Sequence, residues 1–110
     1  MSNKINTDKA PKPMGLYPHA RKVGNLLFLS GVGPRAVFDN VKVILEESGS
    51  SWDKIVDVTT FLTDMKRDFK TYNRVYAEYF KDNQPCRTTV EVNALPSPIS
   101  IELKCIASID

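Results

Sequence analysis

The chain has 110 residues, 42% hydrophobic and 25% charged, a length and balance that fit one small domain spanning residues 1–110. Its longest apolar run, Leu26–Leu29, falls far short of the ~18 residues a spanning helix needs, and no apolar stretch near Met1 resembles a secretory signal. A cytoplasmic, non-membrane protein is the expectation. A net charge of +2, dispersed along the chain, argues against nucleic acid as a partner. One histidine and two cysteines, without CxxC or HExxH spacing, give no basis for a metal site. Cys86 and Cys105 are read as reduced, small core residues.

Residues 1–16 carry Pro11 and Pro13 and no hydrophobic period, so they read as an arm. Tyr17 precedes Pro18 and is biased toward an extended backbone. The runs 19–23 and 26–30 flank Gly24-Asn25, a two-residue hairpin signal with glycine supplying positive φ. Residues 31–35 form a loop. From Ala36 the spacing turns helical, with Val37, Val41, Ile44 and Leu45 on one stripe and Gly49 as its stop.

Residues 55–63 are β-rich, with Val56, Val58, Thr60 and Leu62 alternating against Asp57, Thr59 and Phe61. Asp64 is the expected N-cap of a second helix, whose stripe is Phe69, Tyr72, Tyr76, Tyr79 and Phe80 and which ends near Asn83. Two strands follow, over 86–92 and 99–109, separated by the turn-rich Leu95-Pro96-Ser97-Pro98. The order β-β-α-β-α-β-β predicts an α+β domain with two helices packed on one face of a mixed β-sheet. Alternation then places Arg87, Thr89, Glu102 and Lys104 on the opposite face, beside Phe28 and Phe61. A face that mixes apolar and charged residues is expected to be covered by oligomerisation.

Five segments carry a resemblance: 23–31 (Val-Gly-Asn-Leu-Leu-Phe-Leu-Ser-Gly), 57–65 (Asp-Val-Thr-Thr-Phe-Leu-Thr-Asp-Met), 76–80 (Tyr-Ala-Glu-Tyr-Phe), 85–92 (Pro-Cys-Arg-Thr-Thr-Val-Glu-Val) and 101–107 (Ile-Glu-Leu-Lys-Cys-Ile-Ala). In this order the sequence resembles the reactive intermediate deaminase (Rid/YjgF) family over nearly its whole length. Tyr17-Pro18-His19-Ala20-Arg21 and Gly31-Val32-Gly33-Pro34-Arg35 are most similar to its 2-aminomuconate deaminase branch.

The resemblance implies a chorismate-mutase-like fold, a homotrimer with active sites between subunits, and hydrolysis of enamine or imine carboxylates without metal or organic cofactor. The 2-aminomuconate branch further implies a role in aromatic compound catabolism. Arg87 matches the arginine that grips the substrate carboxylate, a task suited to a permanently charged planar fork. Its ordinary alternative is a surface pair with Glu91. Glu102 matches the glutamate that positions the hydrolytic water, against the alternative of an exposed carboxylate beside Lys104. Tyr17, Ser30, Asn73 and Thr89 match further substrate-binding positions, Thr89 standing where many imine deaminases carry cysteine and acting through its backbone.

His19 is the one side chain with an unperturbed pKa near neutrality and is a candidate proton donor to the leaving ammonia. Arg21 and Arg35 are candidates for a second carboxylate. The substrate expected from the branch is 2-aminomuconate. A general 2-iminoacid deaminase acting on 2-iminobutanoate or 2-iminopropanoate is the alternative within enzymes, and a metabolite-sensing, RNA-binding or chaperone-like protein the alternative outside them. Related chains carry an additional stretch where Arg35 here runs directly into Ala36, so a loop is expected to be missing or deleted at that junction.

Overall fold

A computed structural model describes residues 3–32 and 37–109. The elements run β1 (Lys4–Ile5), β2 (Ala20–Val23), β3 (Leu26–Leu29), α1 (Val37–Glu47), a single 3-10 turn (Trp52–Lys54), β4 (Ile55–Leu62), α2 (Met65–Phe80), β5 (Cys86–Glu91) and β6 (Ile101–Ser108). Six strands form one mixed sheet in the order β1-β2-β3-β6-β4-β5, and every pairing is antiparallel except that of β4 with β5. That parallel pair is the one joined through a helix, as a crossover requires. The expected loop at the Arg35–Ala36 junction lies outside the described residues.

The hairpin of β2 and β3 closes at Gly24, whose φ of 61° lies in the left-handed region glycine favours. Helix α1 buries Val37, Phe38, Val41, Ile44 and Leu45, and ends before Gly49 at φ 81°. Asp64 caps α2 by accepting from the Arg67 backbone N–H at 3.0 Å. Glu91 Oε1 accepts from Met65 N at 2.8 Å, so two carboxylates satisfy two of the open donors of that helix end. The core lies between helices and sheet: Leu27, Leu29, Val58, Leu62, Leu103, Cys105 and Ala107 face Val41, Ile44 and Leu45. A hydroxyl contact within it joins Thr60 Oγ1 to Tyr72 OH at 2.6 Å.

Four details depart from the sequence expectation. The arm is not wholly irregular, because Lys4 and Ile5 pair with Arg21 and Ala20 as an edge strand. A strand of two residues is too short to show a hydrophobic period. In β4 the register shifts between Ile55 and Asp57, so Val56 is the extra residue of a bulge and is 46% exposed. Only Cys105 is a core cysteine; Cys86 is exposed on the edge strand.

The fourth departure moves functional residues. In the parallel register Val58 lies opposite Arg87 and Thr60 opposite Thr89, and residues directly across a ladder share a face. Val58 and Thr60 are buried under the helices, so Arg87 and Thr89 belong to the helix side. Glu102 and Lys104 alternate with buried Leu103 and Cys105 and keep the opposite face, with Phe28 and Phe61. The rule that apolar residues face the helices fails at the edge strand β5, every residue of which is exposed or half-buried.

Candidate functional site

The chemistry-bearing residues divide into two groups, one around Glu102 of β6 and one around Arg87 of β5. The first surrounds a cavity of about 140 Å³ lined by Tyr17, His19, Ser30, Gly31, Glu102 and, from the arm, Lys12. Strand β3 delivers Ser30 and Gly31 to it, and Val32 prolongs that strand by exchanging two backbone bonds with Leu103, 2.7 and 2.8 Å. This brings the neighbouring Glu102 under the Gly31 backbone. A Cβ added at Gly31 would lie 2.5 Å from Glu102 Oε2, so the absence of a side chain there is what lets the carboxylate occupy the cavity. Glu102 makes no ion pair with Lys104, whose ammonium instead donates to the Leu29 carbonyl at 3.3 Å. The remaining wall is mostly apolar, supplied by Met14, Val32, Ile44 and Ile99 among others.

His19 and Ser30 hold this wall in place. His19 is 7% exposed. Its Nδ1 accepts from Thr7 N at 3.2 Å, and its Nε2 stands 2.8 Å from the Pro11 carbonyl. A carbonyl can only accept, so Nε2 carries the proton and Nδ1 does not. Both ring nitrogens are engaged by the arm's backbone, a bracing geometry with no free nitrogen aimed at a substrate. The Ser30 hydroxyl donates to the Pro18 carbonyl at 2.7 Å, which fixes the strand next to Tyr17. Tyr17 is 45% exposed and stands at the cavity edge.

The second group lies between α2 and β5. Arg87 Nη1 donates to Asn73 Oδ1 at 2.9 Å, and its guanidinium carbon is 4.7 Å from the Tyr76 ring centre, 5.5 Å from Tyr72 and 6.0 Å from Phe69. Three aromatic faces and one amide thus orient the fork while leaving it exposed. Glu91 is taken by the α2 N-terminus, so the Arg87–Glu91 pair that residue spacing alone offered does not form. Two buried hydroxyls nearby, Tyr76 OH and Thr89 Oγ1, have no hydrogen-bond partner. Burial, reinforced by Tyr72 and partly offset by Arg87, pushes the Tyr76 phenol up to about 12.

Arg21 donates to Asn3 Oδ1 at 3.1 Å on the β2 edge and does not line the cavity, while Arg35 lies outside the described residues. The cation that does line it, Lys12, was hidden in a segment without pattern. Its flanking prolines were the only signal that the segment is held in an extended path. Among the described residues no cluster of His, Cys, Asp or Glu could hold a metal ion, and no helix is long and apolar enough to cross a membrane.

A mixed six-stranded sheet with two helices on one face, a glutamate on β6 and an arginine on β5 defines a recognisable class of small α+β proteins. The family described as Endoribonuclease L-PSP matches residues 7–109, and the chain belongs to this family, that of the Rid/YjgF proteins. It is 42% identical over 120 residues to a RutC family protein of Pyrococcus abyssi, covering 94% of each chain. It is 38% identical over 122 residues to Reactive Intermediate Deaminase A, chloroplastic, of Arabidopsis thaliana, covering 96% of this chain and 65% of that protein. Among solved structures, a putative endoribonuclease from Thermotoga maritima superposes with a TM-score of 0.89 at 38% identity, over 100% of this chain and 99% of that one. The YjgF gene product of E. coli gives 0.87 at 33% identity, over 99% and 100%.

Proposed function

We propose that the protein is a cofactor-independent hydrolytic deaminase that converts an enamine or imine carboxylate, 2-aminomuconate in the first instance, to the 2-oxo acid and ammonia. The observation that carries this reading is the Glu102 carboxylate lying under Gly31 in a largely apolar cavity, in a chain whose relatives include a named reactive intermediate deaminase. The enamine first tautomerises to its imine. Water held by Glu102 attacks the imine carbon, forming the C–O bond and a carbinolamine. The carbinolamine nitrogen gains a proton, its C–N bond breaks with the electron pair leaving on ammonia, and loss of the hydroxyl proton completes the carbonyl. Positioning and proton handling supply the acceleration, with water and substrate as the only reactants.

Arg87 holds the carboxylate in this scheme, yet it projects from the helix side of the sheet whereas Glu102 projects from the other. A complete site therefore takes Arg87, Asn73 and Thr89 from one copy and Glu102, Tyr17 and Ser30 from another. The face bearing Phe28, Phe61 and Ile106 is the surface available for that association, and a homotrimer is the closed arrangement proposed. Covering it also removes half-buried apolar groups from water.

The test is complementation. Arg87→Ala and Glu102→Gln should each abolish ammonia release, and mixing the two variants under subunit exchange should restore activity. For random assembly into rings with one Arg87 and one Glu102 per site, about a quarter of sites are intact. Ammonia release that fails to return on mixing, with exchange verified by mass, overturns the shared site. A wild type inactive on every imine carboxylate overturns the deaminase reading.

The apolar wall gives the general 2-iminoacid deaminase its support as a second reading, since 2-iminobutanoate has a short apolar side chain; the ratio of kcat/KM on the two substrates decides. We also propose that a family segment is missing between Arg35 and Ala36. The alignments with the relatives of Pyrococcus abyssi and Pyrococcus horikoshii run over 120 and 124 positions, more than the 110 residues of this chain, which supports an internal gap.

A further inference from the structure

We propose that Lys12 selects the substrate of this site by binding the distal carboxylate of a dicarboxylic acid. The inference rests on the deaminase reading for the site's location and goes beyond it in naming the group that recognises the far end of the substrate. Lys12 lines the Glu102 cavity and also the adjoining groove that continues along Tyr17 and Pro18. It therefore lies where the cavity and the groove share a wall, on the side supplied by the arm.

Three observations make it a built feature of the site. The backbone beside it is fixed: Pro11 precedes it, Pro13 follows it, and the Pro11 carbonyl is bound by the His19 ring at 2.8 Å. Three residues before it, Lys9 pairs with Glu47 at 3.4 Å, so the arm is also tied to α1. Lys12 itself has no carboxylate partner among the described residues, although Glu102 lines the same cavity and Glu47 is close enough to the arm to take Lys9. It is also the one lysine or arginine among the described residues that line the cavity.

An ammonium that lines a mostly apolar cavity with no carboxylate partner among the described residues has a defined complement. Glu102 repels a carboxylate from the floor, the apolar wall accepts a carbon chain, and Lys12 draws a second carboxylate to the rim. With the first carboxylate on Arg87 of an adjacent copy, a linear substrate of several carbons would lie across the cavity, its imine carbon against Glu102. A monocarboxylic imine fills the same wall but leaves Lys12 in water, at no gain.

Calorimetric titration with adipate and hexanoate, saturated six-carbon acids that differ only in the second carboxylate, reads this without any catalytic step. The wild-type protein should bind adipate about tenfold more tightly than hexanoate, the scale of one charge-assisted contact. Lys12→Met should abolish that preference while leaving hexanoate unchanged, and Lys12→Arg should restore it. Equal affinities in the wild type, or a preference that survives Lys12→Met, would overturn the inference. A preference that behaves as expected in a protein releasing no ammonia would support the role of Lys12 and overturn the deaminase reading, so the two failures are distinct.

Discussion

Arg87 and Asn73 are joined across 2.9 Å, and this bond ties the edge strand β5 to the exposed face of α2. The amide oxygen of Asn73 is committed to the guanidinium. Its part is to orient Arg87, with the rings of Tyr76, Tyr72 and Phe69 as the other walls. Asn73→Ala should therefore raise KM for the carboxylate substrate about tenfold and change kcat little, because it loosens a binding group rather than the attack on carbon. Arg87→Lys should not rescue Arg87→Ala, since an ammonium cannot reproduce the planar fork. Steady-state kinetics on the three variants check both statements.

The same wall contains a buried phenol without a partner. Tyr76→Phe removes the orphaned hydroxyl and keeps the ring that faces Arg87. An unsatisfied buried polar atom costs on the order of 1–3 kcal/mol, so the variant should be more stable than wild type by about 1 kcal/mol in urea unfolding and equally active. A loss of activity would show that the hydroxyl reaches the substrate.

These relationships mark where sequence reasoning reaches its limit. Helix α1 was legible from the spacing of Val37, Val41, Ile44 and Leu45, and all four are buried. Asp64 was legible as a cap because capping is local chemistry, complete within four residues. The side of the sheet on which Arg87 lies was not, because it depends on pairing with a strand about thirty residues away. Alternation alone aligns β5 by its apolar residues, and at a sheet edge those residues need not be the buried ones. Val56 misled for a related reason, since a bulge of one residue inverts everything before it. The identities of Glu102, Ser30 and Tyr17 as cavity residues came from family resemblance, and no spacing rule would have assembled them.

Gly31 offers a steric test of the carboxylate. An added Cβ would meet Glu102 at Oε2 and at Cδ, 2.5 and 2.8 Å away, distances that force the side chain aside. Gly31→Ala should lower kcat about a hundredfold with the fold retained, the scale of a roughly 1 Å misplacement of a reacting group. Because the loss acts through Glu102, the double variant Gly31→Ala/Glu102→Gln should be no worse than Glu102→Gln alone. Additive losses in that cycle would separate Gly31 from the carboxylate.

The two cysteines should differ sharply in reactivity. Burial pushes the Cys105 thiol up to about 12, whereas Cys86 is exposed. A thiol reagent at neutral pH should modify one cysteine in the folded protein and two after denaturation, since the thiolate is the reactive form. The shift has a sign for stability as well. Below pH 9 the thiol is protonated in both folded and unfolded chains and contributes no pH dependence. Between the ordinary value of 9.0 and the folded value of about 12, the unfolded chain releases the proton first, so stability falls as pH rises. Tyr76, raised from 10.0 to about 12, adds a fall in the same direction from pH 10 upward. Cys105→Ala should flatten the decline that begins near pH 9 and leave the later one, in urea titrations across that range.

His19 separates bracing from proton transfer. With Thr7 N on one ring nitrogen and the Pro11 carbonyl on the other, the imidazole closes the arm over the cavity, and two lost bonds in a buried setting amount to about 2 kcal/mol. His19→Ala should therefore free residues 3–16 to proteolysis and raise KM, because Tyr17 and Lys12 lose their fixed positions, while kcat falls by less than about tenfold. A proton donor to departing ammonia would behave otherwise. Its removal would depress kcat by about a hundredfold or more and erase a limb of the pH–rate profile, with the arm still protected. Limited proteolysis and the pH dependence of kcat, measured on the same variant, distinguish the two, and the occupied ring nitrogens favour the first.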